Sequence, residues 1–251
     1  MRNFILPEGF KDESELMISG EQFHYLRRVL RLREGDELSG TNGKGRSYTL
    51  SVGEIRRHSL TLLVTGYQER SVDNCRISLL QCLPKGKKMD LIVRQAAEAG
   101  VWRIIPLFSC YSIPRIENAA TLERKVSRWR RIIKEALQQS GSLCPTGVVQ
   151  PVNMEAFVED KEIQGLKIFF HQEHISRFSL HGLLAPGDRD ITLLIGPEGG
   201  LAEKEIEFLK GAGFYPVYLG GRVLRSETAA LFAVAAVQTI LEEKRAWKIA
   251  N

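Results

Sequence analysis

Short apolar runs alternate with amphipathic segments along most of the chain, and this alternation predicts an α/β fold. Ile191 to Ile195 is a continuous apolar run rich in β-branched residues, which is typical of a strand buried on both faces. Similar runs predict strands over 76–83, 103–108, 166–170 and 215–219. Helical spacing of apolar residues predicts helices over 89–99, 122–139, 154–159, 202–212 and 226–247.

The first 66 residues show a different pattern, with five short strand candidates and one helix. The strands are predicted over 2–6, 15–18, 36–41, 46–52 and 60–65. Asn42-Gly43 is a hairpin signal between two of them, and Ser19 followed by Gln22 fits a capping box at the helix start. This pattern predicts a small β-barrel domain over 1–70. The polar stretch 67–74 then separates it from a second domain over 74–251.

Glycine turns follow two predicted strands of the second domain. Gly196-Pro197-Glu198-Gly199-Gly200 follows the first, and Gly220-Gly221 follows the second. Open α/β sheets bind ligands beyond the carboxyl ends of their strands, where glycine bares the backbone and helix N-termini offer N–H donors. Two ordinary βα turns would give the same glycine pattern. Charged residues within the turns favour a ligand site: Glu198, Arg222, Arg225 and Glu227.

Several other classes of protein lack support in the sequence. The glycine turn does not have the G-x-G-x-x-G spacing of dinucleotide-binding proteins, and no G-K-[ST] of a phosphate-binding loop follows it. The four cysteines show no paired spacing and the five histidines form no ligand set, so we expect free thiols and no metal. Without a leader or an apolar run of transmembrane length, we expect a cytoplasmic protein.

Positive charge is concentrated in the middle of the chain. The net charge is +5, and residues 73–146 carry 13 Lys and Arg against 6 Asp and Glu. Such a segment fits a polyanionic partner, although a solvated basic face would give the same count. Lys85, Lys87 and Lys88 crowd at the start of a predicted helix, where they oppose the helix dipole. A phosphate contact explains them better than local stability does.

Two motifs together carry a family resemblance. IGPEGG, followed some twenty residues later by LGGRVLRSETAAL, resembles the RsmE family, bacterial 16S rRNA (uracil-N3) methyltransferases of the SPOUT superfamily. HYLRRVLRLREGDEL and LPKGKKMDLIVRQAAEAG resemble the equivalent stretches of that family. The resemblance covers almost the whole chain, strongly over 191–231 and poorly over 145–190. It departs near Ser142, where the family usually has an arginine.

The resemblance implies a fold, a cofactor and partners. The fold is a PUA-like β-barrel domain followed by a SPOUT methyltransferase domain with a C-terminal trefoil knot. The cofactor is S-adenosyl-L-methionine, the substrate is 16S rRNA or the small ribosomal subunit, and the protein is a homodimer. The expected donor-binding residues are Ile195, Gly196, Pro197, Gly199, Gly200, Leu219, Gly220, Leu224, Ser226 and Ala229. The expected RNA-binding residues are His24, Arg27, Arg28, Arg31, Lys85, Lys88 and Arg222.

Methylation of a uracil N3 needs two positioned substrates and help for the imide as it loses its proton. We expect Arg225 to stabilise the imide anion through O2 or O4. Glu198 would orient a neighbour or accept a proton, which requires a raised pKa, or it would cap its own helix. Glu227 would orient Arg225 or cap its helix. A non-catalytic RNA-binding protein and a SPOUT enzyme for another nucleotide or for tRNA remain as alternatives. The absence of the G-x-G-x-x-G spacing argues against a dinucleotide-dependent enzyme.

Overall fold

A computed structural model describes residues 3–7, 10, 12–41, 46–69, 75–112, 118–142, 144–159, 163–173, 175, 178–218 and 220–246. The chain divides into two compact units. The first comprises residues 1–72 and 137–145, and the second comprises residues 73–136 and 146–251. Across these described ranges, every helix is too short or too polar to cross a membrane.

The first unit is built on one five-stranded sheet. Its strands are β1 (Asn3–Ile5), β2 (Glu15–Ser19), β3 (Glu37–Thr41), β4 (Arg46–Ile55) and β5 (Ser59–Glu69), in the order β1-β3-β4-β5-β2. β1 runs parallel to β3, and the other neighbours are antiparallel. All five predicted strands are confirmed. The described ladders do not close the sheet into the expected barrel, and the Asn42-Gly43 turn lies outside the described residues.

The helical segment of this unit differs from the prediction. Helix α1 (Gly20–His24) passes into a π-helix (Tyr25–Val29), and the Leu30 N–H donates to the Tyr25 carbonyl at 3.1 Å. The predicted capping box is wrong, because Ser19 is still paired in β2 and its side chain caps nothing. Leu26 within the π-helix and Leu32 just beyond its end are fully buried, so the core of the unit holds this turn in place.

The second unit is a parallel sheet with helices on both faces. Its strands are β6 (Arg76–Cys82), β7 (Arg103–Phe108), β8 (Gly147–Val148), β9 (Val152–Asn153), β10 (Leu166–His171), β11 (Asp190–Ile195) and β12 (Tyr215–Tyr218). Their order is β12-β10-β11-β6-β7-β8, and β9 also pairs with β7. The helices are α2 (Lys88–Glu98), α3 (Ala119–Ser140), α4 (Met154–Glu159), α5 (Leu180–Leu183), α6 (Glu203–Gly211) and α7 (Ser226–Ala246).

Both faces of the central strands are buried, as their continuous apolar runs predict. Consecutive residues Leu193 and Leu194 of β11 are each fully buried although their side chains point to opposite faces. Leu194 belongs to a core cluster with Met154 of α4 and Leu209 of α6. On the other side of the unit, Gln238 of α7 donates to the Ala99 carbonyl at the end of α2, at 2.6 Å.

The predicted strands and helices of this unit are confirmed within a few residues at their ends, and α4 has the predicted bounds. The sequence pattern did not predict β8, β9 or α5, because two-residue strands and a four-residue helix are too short to show a period. Position 247 at the end of the last predicted helix lies outside the described residues. The trefoil knot stays a prediction.

Gly165 precedes β10 and provides a test of how closely this strand approaches β11. Its φ is +78°, and a Cβ there would lie 2.0 Å from the Asp190 carbonyl oxygen. We therefore expect Gly165→Ala to lower the free energy of unfolding by more than about 2 kcal/mol, since a left-handed conformation alone costs about 1–2 kcal/mol. Urea unfolding measures the change.

Gly187→Ala is the matched control, because a Cβ at Gly187 meets no atom within 4 Å. It should change the free energy of unfolding by less than about 1 kcal/mol. Equal effects of the two substitutions would contradict the close approach at Gly165.

Candidate active site

A cavity that is open to solvent lies at the carboxyl edge of the parallel sheet. β10 pairs with β11 on one side and with β12 on the other, all in the same direction, so the segments that follow these strands meet at one edge. The end of β10, the Ile195–Leu201 stretch and residues 220–229 contribute the lining side chains and backbone. This is the position at which open α/β sheets bind ligands.

Most residues predicted to bind the methyl donor line this cavity: Ile195, Gly196, Pro197, Gly200, Gly220, Leu224, Ser226 and Ala229. Glu198 and Arg222, predicted for other roles, line it too. Gly199 is not in the lining; a Cβ built on it would meet the Tyr111 Cβ at 3.1 Å. Leu219 lies outside the described residues.

Sequence reasoning missed three lining residues, Gln172, Leu201 and Val223. Gln172 directly follows the last residue of β10, so its place just past a predicted strand was an available signal. Val223 lies in a turn of glycine and arginine, where a large apolar residue was a second available signal. Its side chain is 77% exposed. Phe170 and His171, whose backbone the resemblance placed near the donor, are also in the lining.

The turn between β11 and α6 brings bare backbone to the cavity. Gly200 has a φ of +73°, which favours glycine, and its N–H donates to the Pro197 carbonyl at 2.9 Å. A Cβ on Gly196 would lie 3.4 Å from the Gly200 carbonyl carbon and from Leu201 Cγ. The turn is therefore folded closely on itself, and backbone forms this part of the wall.

A chain of hydrogen bonds, in which donors and acceptors can be assigned in only one way, fixes the position of the Ser226 side chain at the start of α7. The Gln81 Nε2 group donates to the Cys82 carbonyl at 2.8 Å and to Ser226 Oγ at 2.9 Å. Because a carbonyl can only accept, the amide nitrogen must lie on this side of Gln81. Ser226 then accepts from Gln81 and has its single proton for the Gly196 carbonyl, at 3.0 Å.

This chain joins the end of β6, the turn after β11 and the start of α7. Gln81 is fully buried, and its Oε1 atom has no hydrogen-bond partner within the described part of the chain. Leaving a buried amide oxygen without a partner costs about 1–3 kcal/mol, so apolar packing alone does not explain a glutamine at this position. The Ser226 side chain, predicted to bind the donor, holds the cavity wall together instead of pointing only at a ligand.

Glu198 is ionised and holds the lysine turn, which we define as residues 84–88, at the start of α2. Its carboxylate accepts the Lys85 N–H at 3.2 Å and the Lys88 ammonium at 2.6 Å. Burial alone would raise the pKa of this carboxyl, but the hydrogen bonds from Lys88 and from backbone N–H groups outweigh it and lower the pKa. A lowered pKa favours the orienting role over the proton-accepting role.

Glu205, and not Glu198, caps helix α6. One carboxylate oxygen of Glu205 accepts the Ala202 N–H and the other accepts the Cys110 N–H, both at 2.8 Å. Glu205 is 4% exposed, so these two hydrogen bonds satisfy a buried anion. The prediction that Glu198 caps its own helix is therefore not supported by the geometry.

Glu227 and Arg225 flank the Lys88 ammonium. Glu227 lies in the first turn of α7, and its Oε2 atom is 3.7 Å from Lys88 Nζ. The pKa of Lys88 is raised, chiefly by its hydrogen bond to Glu198, and the nearby Arg225 guanidinium opposes this shift. Arg225 is exposed and is not part of the cavity lining. Its guanidinium is therefore accessible to a molecule that binds next to the cavity.

The cysteine next to this network is not a nucleophile. Burial raises the pKa of the Cys82 thiol to about 12, and the thiol is fully enclosed. A neutral, inaccessible thiol cannot attack a substrate. The arrangement therefore fits positioning and charge stabilisation without covalent catalysis by cysteine.

The arginines predicted to contact RNA in the first unit lie on its π-helix, at Arg27 and Arg28, and two residues beyond its end, at Arg31. His24, Arg28 and Arg31 are exposed, and Arg31 adopts a positive φ of 54°, which is uncommon for a residue other than glycine. Arg27 is half-buried and its guanidinium donates to the Leu32 carbonyl. π-Helical turns occur often at functional sites; this one presents Arg28 to solvent, and Arg31 is exposed just beyond its end.

Comparisons with known proteins assign a family to both parts of the chain. A family described as the RNA methyltransferase domain matches residues 71–238, and one described as the RNA methyltransferase PUA domain matches residues 18–65. The chain is 29% identical to the ribosomal RNA small subunit methyltransferase E of Synechocystis sp., over 92% of this chain and 75% of that protein.

Two solved structures have nearly the same fold. A methyltransferase candidate from Legionella pneumophila, in complex with bound S-adenosylmethionine, is 29% identical with a TM-score of 0.83, covering 95% of this chain and 97% of the other. The ribosomal RNA small subunit methyltransferase E from Neisseria gonorrhoeae, bound to S-adenosylmethionine, is 28% identical with a TM-score of 0.83. That alignment covers 96% of this chain and 98% of the other.

We expect Gln81→Met to weaken binding of S-adenosylmethionine about three- to tenfold. Methionine keeps most of the volume but donates nothing to Ser226, and one hydrogen bond contributes about 0.5–1.5 kcal/mol net. Isothermal titration calorimetry measures the affinity. Gln238→Met removes a comparable hydrogen bond, to Ala99, away from the cavity. It should leave the affinity unchanged, and wild-type affinity in Gln81→Met would refute a role for the chain in donor binding.

Proposed function

Because this chain belongs to the RsmE family of RNA methyltransferases, we propose that it transfers a methyl group from S-adenosylmethionine to N3 of a uridine in 16S rRNA of the small ribosomal subunit. The observation that carries the proposal is the backbone-walled cavity at the carboxyl ends of β10, β11 and β12. The two relatives named ribosomal RNA small subunit methyltransferase E support the choice of substrate.

The cavity has the chemistry that this donor needs. Ile195, Leu224 and Ala229 offer apolar contact, while Gly196 and the other glycines of the turns bring backbone groups close. S-adenosylmethionine supplies a methyl group activated by its sulfonium sulfur. The protein's own task is to hold the donor and the uridine in line, which is where a fixed wall contributes most.

Arg225 is our candidate for stabilising the uracil imide anion. Its guanidinium is exposed and lies beside the Lys88, Glu198 and Glu227 cluster at the cavity. A fixed positive charge near O2 or O4 lowers the energy of the anion that develops when N3 loses its proton. We assign Glu198 and Glu227 to positioning, since both carboxylates face the Lys88 ammonium.

RNA contacts are proposed on both units. His24, Arg27, Arg28 and Arg31 would contact phosphates from the first unit, and Lys85 and Arg222 would do so near the cavity. Lys88 receives a different role from the one predicted, because its ammonium is already paired with Glu198 at 2.6 Å. We propose that Lys88 holds Glu198 and Glu227 in place. A substrate of this kind locates the protein in the cytoplasm.

The decisive experiment is methyl transfer from labelled S-adenosylmethionine to small ribosomal subunits that lack the modification, followed by nucleoside analysis of the digested RNA. We expect N3-methyluridine. A different methylated nucleoside would keep the enzyme class and move the target. Absence of both label and donor binding would favour the non-catalytic RNA-binding alternative.

In the same assay, Arg225→Ala should lower turnover about 10²–10³-fold, the usual effect of removing one group that stabilises a developing anion. Its affinity for S-adenosylmethionine should stay within about twofold of wild type, because Arg225 is not in the cavity lining. Arg189→Ala, at an exposed arginine outside the lining, is the control and should retain full turnover. Unchanged turnover in Arg225→Ala would remove this residue from the mechanism.

We also propose that the protein is a homodimer that pairs through α7, with the C-terminal segment of each copy tied in the SPOUT trefoil knot. Leu231 and Phe232 on α7 are 38% and 49% exposed, next to small alanines that permit close approach. Large apolar side chains that stay exposed on a helix whose other side is buried favour a protein partner. A second copy is the partner that the family resemblance implies.

Sedimentation equilibrium should give a mass of twice the chain's 28.3 kDa. Phe232→Glu should shift the protein to the single-chain mass, because a buried carboxylate without a partner opposes association. Phe178→Glu introduces the same charge at a phenylalanine that is 54% exposed elsewhere, and it should leave the mass unchanged. A single-chain mass for the wild type would disprove the dimer.

A further inference from the structure

Helix α3 carries an exposed basic surface that the functions described so far do not use. We define the α3 basic face as the outward side chains Arg124, Arg128, Arg130, Arg131 and Lys134, all of them exposed. The opposite side of the helix is apolar and buried, through Val126, Trp129, Ile132, Ile133 and Ala136. Because that side is buried, the direction of the basic face is fixed.

Little within the described part of the chain neutralises this face. Arg128 is paired with Asp90 at 2.6 Å. Arg131 has only Glu135 at 3.8 Å, and 74% of its side chain is exposed, so the pair is weak. Arg130 and Lys134 form no ion pair with any described residue. Most of the positive charge therefore remains available to an outside anion.

Local stability does not explain the pattern. Arg124, Arg128 and Arg131 follow one another at steps of four and three, so they form one row along the helix. Lys134 extends this row by three more residues. Like charges at these spacings destabilise a helix. A row of like charges that weakens its own helix indicates a binding function outside the helix.

We infer that the α3 basic face contacts the phosphate backbone of the RNA substrate. The inference rests on the proposed function, since it concerns how the same substrate is held. Arg124 to Lys134 spans about 15 Å along the helix axis, and a nucleic acid strand carries one charge per about 3.4 Å of its axis. The row can therefore face several consecutive phosphates, and arginine forks match phosphate oxygens in geometry.

The test is the salt dependence of binding to a fluorescently labelled 16S rRNA transcript, measured by anisotropy between 50 and 200 mM KCl without methyl donor. In Arg124→Gln/Arg131→Gln/Lys134→Gln we expect the slope of log affinity against log salt to fall by about 2–3, since each lost phosphate contact removes about 0.7–0.9. Affinity at 100 mM KCl should fall at least about tenfold.

Two control variants make the result specific. Arg189→Gln/Lys204→Gln/Lys210→Gln removes the same number of charges from exposed positions of the same unit, and its slope should change by less than about 1. Arg124→Lys/Arg131→Lys keeps the charges and should keep the wild-type slope. The inference is overturned if the α3 variant and the first control change the slope equally.

Other outcomes separate this inference from the proposed function. Weakened binding of the α3 variant to assembled small subunits, with unchanged binding to the naked transcript, would indicate a protein contact and overturn the inference. The variant should bind S-adenosylmethionine and melt like the wild type, because removing like charges does not weaken the helix. A wild type that binds RNA through α3 but neither binds the donor nor methylates would refute the proposed function alone.

Discussion

The parallel direction of every strand in the second sheet is the constraint on which the site depends. Parallel strands carry all their carboxyl ends to one edge, so the segments after β10, β11 and β12 meet although they lie far apart in sequence. Burial of both faces then fixes the register, since a slip of one residue would turn every side chain to the other face. The position of the cavity therefore follows from the strand order, and the lining residues determine its shape and chemistry.

Two polar contacts convert this shared edge into a defined wall. Gln81, Ser226 and Gly196 form a directed hydrogen-bond chain, whose direction is set because Gln81 Nε2 also donates to the Cys82 carbonyl. The Lys88 ammonium, facing Glu198 and Glu227, links the lysine turn to the two turns that line the cavity. Both contacts join β6 and the turn after it to segments more than a hundred residues later, so they position the backbone that lines the cavity.

Local patterns in the sequence predicted the strands, the helices and the glycine wall, because period and turn chemistry are properties of short segments. The roles of Gln81 and Lys88 were not predictable in this way, since their partners lie 145 and 110 residues away. A glutamine within the apolar run of β6 was a visible signal, but nothing local named Ser226 as its partner. The π-helix was missed for a similar reason, because burial of Leu26 and Leu32 decides it.

The position of β11 also has a consequence for synthesis of the protein. β11 lies between β6 and β10, and Arg76 of β6 is 114 residues before its partner Asp190 of β11. At about 5–20 residues per second, a ribosome needs roughly 6–23 seconds to make that interval. During this time β6 can pair with β7 but keeps its other edge open, and unpaired apolar edges favour aggregation. The newly made chain therefore passes through an interval in which a strand that is largely buried in the folded protein exposes one of its edges.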